Sequence, residues 1–162
     1  MTTEIEIYTD GACIGNGKKE NIGGWSFVVV DKDGAFLEAV DIEFNTTNNR
    51  QEIKGVLNAL KCCLDHKIYP FTLFSDSQYV VNGFNSWMHK WHRNRWVRGN
   101  PAELIPNADL WKEMWLLKQS FDKIELKWVR GHNGNKWNER ADELINLEIE
   151  KTIKSLSNLV KA

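Results

Sequence analysis

Long apolar runs are missing from this chain of 162 residues, and none approaches the roughly 18 residues needed to cross a bilayer as a helix. A secretory leader is missing as well. Met1-Thr2-Thr3-Glu4 has neither a basic start nor an apolar stretch behind it. Cysteine is scarce: Cys13, Cys62 and Cys63 match no metal-ligand spacing and cannot all pair internally. That excludes a disulfide scaffold and points to a reducing, cytoplasmic setting with no membrane partner. There is no internal repeat and no low-complexity tract. An excess of positive charge is absent too, since 21 basic and 22 acidic residues leave a formal charge of −1.

The distribution of that charge changes its meaning. Residues 1–84 carry 7 basic and 12 acidic side chains, whereas residues 85–162 carry 14 and 10. Between 85 and 101 stand Lys90, Arg93, Arg95 and Arg98 with no acid among them. A polyanion can dock on such a stretch while the whole molecule stays slightly acidic. The remaining composition, 42% hydrophobic and 27% charged with eight Trp and seven Phe, is that of one globular domain.

Hydrophobic periodicity gives the order of elements. Residues 4–9 alternate as a strand and stop at Asp10-Gly11, residues 25–30 form a second strand, and Asp31-Lys32-Asp33-Gly34 turns into a third over 36–44. Ile53, Val56, Leu57, Leu60 and Leu64 then recur at helical spacing, predicting a helix over 48–66. A fourth strand over 71–75 precedes Ser77, an N-cap for a helix over 78–84. A helix over 110–120, a strand over 124–129 and a final helix over about 137–159 complete the chain. The final helix carries Ala141, Ile145, Ile149, Ile153, Leu156 and Val160 along one side. The order predicts an α/β fold: a five-stranded mixed sheet, part antiparallel meander and part parallel, flanked by helices. A basic helical protrusion occupies about 85–101.

Four carboxylates stand out by position. Asp10 and Asp76 end strands, Glu52 opens the first long helix, and Asp142 lies near the start of the last. Sites in such sheets form at the carboxyl ends of parallel strands. Converging carboxylates repel, at about 4 Å and an effective dielectric near 20 by roughly 4 kcal/mol per pair. A hard divalent ion such as Mg²⁺ relieves that cost. Position alone leaves a second reading open, in which the four merely cap turns and helix ends.

The surrounding segments resemble a known family. Tyr8-Thr9-Asp10-Gly11-Ala12-Cys13 with Gly15-Asn16-Gly17, Thr46-Thr47-Asn48-Asn49-Arg50-Gln51-Glu52 and Ser75-Asp76-Ser77-Gln78-Tyr79-Val80 are similar to motifs of the type 1 ribonuclease H family, the bacterial ribonuclease HI group. So are Trp87, Trp91 and Trp96, Asn107-Ala108-Asp109-Leu110-Trp111, and Trp128-Val129-Arg130-Gly131-His132-Asn133-Gly134 running on to Asp142. The pieces occur in family order over about residues 4–147.

The resemblance implies a ribonuclease H-like fold and an endonuclease, expected to act as a monomer; a chain that opens at Met1 and closes on a full helix is expected to be free-standing. It would hydrolyse the RNA strand of an RNA/DNA hybrid, leaving 5′-phosphate and 3′-hydroxyl ends. It carries the metal-ligand role onto Asp10, Glu52, Asp76 and Asp142, holding two Mg²⁺ ions with Mn²⁺ as a substitute, and a proton-moving or product-release role onto His132. Asn16, Asn48, Asn49 and Gln78 would read the minor groove and the 2′-hydroxyls that only RNA carries. Capping of the first helix is expected of Asn48 or Asn49 besides. Tyr79, Trp87 and Trp91 would pack on deoxyribose, although helix packing is the alternative for Trp87, Trp91 and Trp96. Lys90, Arg93, Arg95 and Arg98 would meet phosphates, and Thr47 with Asn107 would form a phosphate pocket. Trp25, Trp111, Trp115 and Trp128 are expected in the core, and His66, His89 and His92 at the surface.

Two departures stand out. Asn45 occupies a position where some relatives place an Arg, so the phosphate pocket should be weaker in charge or completed by another base. Lys18-Lys19-Glu20-Asn21-Ile22 replaces a shorter Pro/Gly-rich turn. Rival readings are another nuclease or strand transferase on the same fold, an inactive hybrid-binding module, and an isolated polymerase-associated domain. The complete run Thr46–Glu52, the basic Trp segment and the four carboxylates weigh against the first two.

Overall fold

The structure is a computed structural model that describes residues 4–131 and 133–161. Strands β1 (Glu6–Ile14), β2 (Ile22–Asp31) and β3 (Gly34–Phe44) form the antiparallel meander. Helix α1 (Asn48–Asp65) crosses over to β4 (Thr72–Ser75), which lies parallel to β1. Strand β5 (Val97–Arg98) pairs only with β6 (Glu103–Leu104), and β7 (Leu126–Trp128) lies parallel to β4. The main sheet therefore runs β3-β2-β1-β4-β7, the five-stranded mixed sheet expected from the sequence.

Alternation along the strands assigns the two faces. Ile7, Phe27 and Val29 pack with Ile53, Val56, Leu57 and Leu60 of α1, and with Leu110, Trp111 and Met114 of α4 (Ala108–Gln119). Tyr8, Val28 and Val30 face Ala141 of α5 (Lys136–Lys161) on the other side. The apolar stripe of α5 is buried only as far as Ile149. Ile153, Leu156 and Val160, expected to continue it, are exposed because the helix outruns the sheet.

Between α1 and α4 the chain makes a bent helical arm: α2 (Gln78–Asn82), a π-helical turn (Gly83–Trp87) and α3 (Met88–Arg93). The predicted helix over 78–84 is its first part, and Ser77 caps it through a hydrogen bond from Val80 N at 3.2 Å. The π turn has an identifiable cause. Gly83 lies against Trp111, where a Cβ would come within 2.4 Å of the ring, and the Phe84 carbonyl accepts from Lys118 Nζ at 2.9 Å. Trp96 is buried at positive φ, held by Trp96 N donating to Trp91 O and Ile105 N donating to Trp96 O. It packs the arm onto the core and so takes the packing role of the two considered.

Several expectations need correction. Strand β1 does not stop at Asp10; it continues to Ile14, because its antiparallel pairing with β2 outlasts its parallel pairing with β4, which ends at Thr9–Ser75. Thr47, and neither Asn48 nor Asn49, caps α1 by accepting from Arg50 N at 3.1 Å. Trp128 is 46% exposed rather than a core residue, because it sits on β7 at the sheet's edge. Of the histidines expected at the surface, His66 and His92 are exposed, whereas His89 is half-buried against Trp115, where burial and neighbouring Lys118 and Arg93 lower its pKa.

Helix α1 rests directly on β1. A Cβ at Gly11 would stand 2.3 Å from the Gln51 carbonyl carbon and Glu52 N, and one at Gly55 would stand 2.8 Å from Asp10 O. Gly55→Ala should therefore destabilise the protein by about 1–3 kcal/mol through overpacking, even though Ala favours a helix interior by about 1 kcal/mol. Urea unfolding of parent and variant measures this, and equal midpoints would mean the contact relaxes freely.

Candidate active site

The cleft opens where β1 and β4 part. Asp10 is 4% exposed and lies on the β1 face that meets α5, while Gly11 turns the opposite face to α1. Glu52 reaches the same point from the second turn of α1, and Asp76 follows the last residue of β4. One carboxylate oxygen from each of Asp10, Glu52 and Asp76 lies within 4.8 Å of the others.

Each carboxylate has its own support. Asp10 Oδ1 accepts from Gly11 N at 2.9 Å. Asn138 Nδ2 donates to Asp76 Oδ2 at 3.4 Å, and Trp128 Nε1 donates to Asp76 O at 3.1 Å. Exposed Trp128 thus fixes the backbone of a site residue, a role its aromatic character did not reveal. Asp142 is brought alongside by α5, near enough for its charge to raise the Asp10 pKa although it stands outside the Asp10–Glu52–Asp76 cluster, and it accepts from Asn146 Nδ2 at 3.2 Å. Two contacts seat that helix. Ser26 Oγ donates to Ala141 O at 2.6 Å, and Asn135 Oδ1 caps the first turn by accepting from Trp137 N and Asn138 N.

Electrostatics in this cleft are unfavourable by themselves. Burial first, then the charge of Asp76 and that of Asp142, hold Asp10 well above the usual carboxylate range. Burial and the charges of Asp10, Asp76 and Asp142 do the same to Glu52. Glu52 Oε2 is buried without a hydrogen-bond partner among the described residues. Buried polar atoms are rarely left so. An oxygen-only donor set with an orphaned carboxylate oxygen is what a hard divalent cation fits, so the cluster can hold a metal ion.

The other expected site residues are placed as follows. Asn16, Thr47, Asn48, Asn49 and Gln78 are exposed, and Asn16 Oδ1 accepts from Asn48 N at 3.0 Å. Tyr79, Trp87 and Trp91 form an aromatic cluster over buried Trp111, with neighbouring ring centroids 5.3–6.3 Å apart. They line a groove of about 510 Å³ together with Asn49, Lys90 and Arg98. Arg93 and Arg95 are exposed on the same arm. His132 lies outside the described residues.

Arg50 and Asp109, which stand in the motif runs without a role of their own, meet in the fold. Arg50 forms a two-pronged ion pair with Asp109 at 3.0 and 2.8 Å, and also donates to Asn107 Oδ1 at 3.3 Å. Asn107, in the left-handed conformation, donates to Tyr79 Oη at 3.2 Å, which also accepts from Trp111 Nε1 at 3.1 Å. The base near the Thr47–Asn107 corner is thus Arg50, with its charge offset by Asp109. The run Asn48-Asn49-Arg50 was a usable signal, but only tertiary contact pairs it with Asp109.

Comparison with known proteins agrees with this geometry. The RNase H family profile matches residues 2–150. The chain is 40% identical over 152 residues to a ribonuclease H of Chromobacterium violaceum, covering 93% of this chain and 99% of that one. It is 39% identical to a ribonuclease H of Caldanaerobacter subterraneus, covering 93% and 94%. Among solved structures, LC9-RNase H1, a type 1 RNase H with the type 2 active-site motif, superposes with a TM-score of 0.73 at 33% identity, over 91% of this chain and 72% of that one. The RNase H domain of PFV shares the fold, with a TM-score of 0.76 at 24% identity over 91% and 94%. A carboxylate cleft at the parting of β1 and β4, motifs in order along the chain and relatives matched over nearly their whole length together place this chain in the ribonuclease H family, in its type 1 branch.

Proposed function

We propose that this ribonuclease H hydrolyses the RNA strand of RNA/DNA hybrids at the Asp10–Glu52–Asp76–Asp142 cleft, leaving 5′-phosphate and 3′-hydroxyl ends. The observation that carries the reading is the convergence of Asp10, Glu52 and Asp76 with one Glu52 oxygen buried and unpartnered. We take residues 1–162 as one domain acting as a monomer, since one chain supplies every group. Its setting would be cytoplasmic, in keeping with free Cys13, Cys62 and Cys63. No helix among the described residues is long and apolar enough to cross a membrane.

Asp10, Glu52, Asp76 and Asp142 would hold two Mg²⁺ ions, with Mn²⁺ as a substitute. Bound there, such ions supply a reactive water and offset charge on the leaving 3′-oxygen. The protein's own part is to hold the scissile phosphate against a cleft whose carboxylates are fixed before substrate arrives. His132, one residue from Gly131 and two from Gly134, would move a proton or aid product departure.

Recognition divides between two surfaces. Asn16, Asn48, Asn49 and Gln78 would read 2′-hydroxyls from the minor groove. Tyr79, Trp87 and Trp91 would pack on deoxyribose, where a 2′-hydroxyl would clash. Thr47 accepts from Arg50 N, so its hydroxyl proton stays free to donate to a DNA-strand phosphate beside Asn107. Lys90, Arg93, Arg95 and Arg98 would neutralise further phosphates.

Mg²⁺-dependent cleavage should occur on RNA/DNA hybrid and not on double-stranded RNA or DNA; equal cleavage of all three would overturn the assignment. Asp10→Asn should abolish nearly all turnover, and activity within about tenfold of the parent would refute its role at the metal. The same variant gives a second readout in EDTA. Because the folded protein holds the Asp10 pKa high, ionisation costs stability as pH rises from the ordinary carboxylate value near 4. At pH 8 the metal-free Asn variant should be the more stable, by about 1–4 kcal/mol, the scale of one relieved carboxylate pair. That advantage should vanish as pH falls towards 4.

For the arm, changing Lys90, Arg93, Arg95 and Arg98 together to Ala should lower the slope of log affinity against log salt by about 2, if two or three of them meet phosphates. KM should rise far more than kcat falls. An unchanged salt slope would place the hybrid elsewhere.

A further inference from the structure

The β1–β2 hairpin carries a turn that no role above uses, and it reaches the loop before α1. Thr46 in that loop is 6% exposed, although Asn45 and Thr47 on either side are exposed. Each polar group of Thr46 is tied. Its N–H donates to Asn21 Oδ1 at 2.8 Å, its hydroxyl oxygen accepts from Gln51 Nε2 at 2.8 Å, and its carbonyl accepts from Cys13 Sγ at 3.8 Å. Asn21 grips the loop twice, since its backbone carbonyl also accepts from Asn45 N at 3.1 Å. The second grip falls on a residue at φ 55°, a conformation that costs an Asn less than most side chains but is still held by its surroundings. Asn21 is itself oriented by Nδ2 donating to Lys18 O at 3.2 Å, inside a turn closed by Lys18 N donating to Gly15 O.

We infer that Asn21 is a positioning residue for hybrid binding: it fixes the 45–47 loop so that the Thr47 hydroxyl is aimed at a DNA-strand phosphate. The inference rests on the phosphate-pocket reading of Thr47 given above. A short exposed loop with a left-handed residue pays entropy to adopt one geometry on binding, and groups locked beforehand remove that cost. The loop carries no positive charge to attract the phosphate, because position 45 is Asn and Arg50 is paired with Asp109. Affinity there depends on the aim of a neutral donor, which makes the clamp matter more than it would beside a free Arg.

The test uses hybrids with single methylphosphonates along the DNA strand, assayed with the intact protein, Thr47→Ala and Asn21→Ala. The DNA position at which the parent loses most and Thr47→Ala loses little more defines the Thr47 pocket. At that position Asn21→Ala should behave like Thr47→Ala. Its KM on the natural hybrid should rise about fivefold, the scale of one hydrogen bond, with kcat little changed, and its discrimination between phosphate and methylphosphonate should shrink. The ratio between two substrates is insensitive to any loss of folded protein, which scales both alike. If Thr47→Ala couples to a phosphate but Asn21→Ala shifts both hybrids equally or neither, the inference falls and the pocket stands. If Thr47→Ala couples to no phosphate, the pocket reading itself falls.

Discussion

Helix α1 lies on strand β1 with no side chain between them at Gly11 and Gly55, and the geometry of the cleft depends on that contact. A Cβ at either position would meet backbone atoms at 2.3–2.8 Å, so any larger residue would push the helix outwards. The contact brings the Glu52 backbone against Gly11, the residue after Asp10, and Gly55 against the Asp10 carbonyl. Two acidic groups from different elements are thereby committed to one place before any ligand arrives. Strand β4 completes the arrangement by ending its pairing at Ser75, which leaves Asp76 at the mouth of the opening.

Packing enforces what electrostatics opposes. Asp10 and Glu52 are pushed upwards in pKa by burial and by the neighbouring carboxylates, Asp76 and Asp142 acting on both and Asp10 on Glu52, and among the described residues one Glu52 oxygen stays unpartnered inside. A fold selected for stability alone would spread such charges apart or pair them with bases, as Arg140 pairs with Glu38 on the surface. Here the two basic side chains nearest Glu52 in sequence are engaged elsewhere, Arg50 with Asp109 and Lys54 with Glu43. The cluster stays acidic and desolvated, which is the condition under which a divalent cation gains most.

Around the cleft, the rim is built from neutral polar groups already bonded to the protein. Asn107 is held on both sides of its amide by Arg50 and Tyr79, Asn16 supports the Asn48 backbone, and Asn21 holds Thr46. Positive charge is kept apart on the arm and the segment just after it, where Lys90, Arg93, Arg95 and Arg98 are exposed and Lys90 and Arg98 line the aromatic groove. The proposed division of labour follows from this layout: long-range attraction on the arm, short-range aim at the loops, and chemistry in the acidic cleft.

The sequence by itself determined the order of the main elements, a mixed five-stranded sheet, the long helices and the identity of the carboxylates. Strand alternation and the three-and-four spacing of α1 are local consequences of side-chain direction, and motif order identified Asp10, Glu52, Asp76 and Asp142. Local signals failed where pairing is decided by distant chain. Asp10 reads as a strand end because Asp-Gly usually turns, but β2 keeps pairing past it. Thr47 displaced the two Asn residues as the cap of α1, since Thr46 is anchored and sets where the helix begins. Trp128 reads as core, yet β7 is an edge strand and its indole holds the Asp76 carbonyl from outside. The Arg50–Asp109 pair and the Asn21 clamp join residues 59 and 25 positions apart. A charge or an amide looks the same in sequence whether its partner is solvent or protein, and only the packed chain supplies that partner.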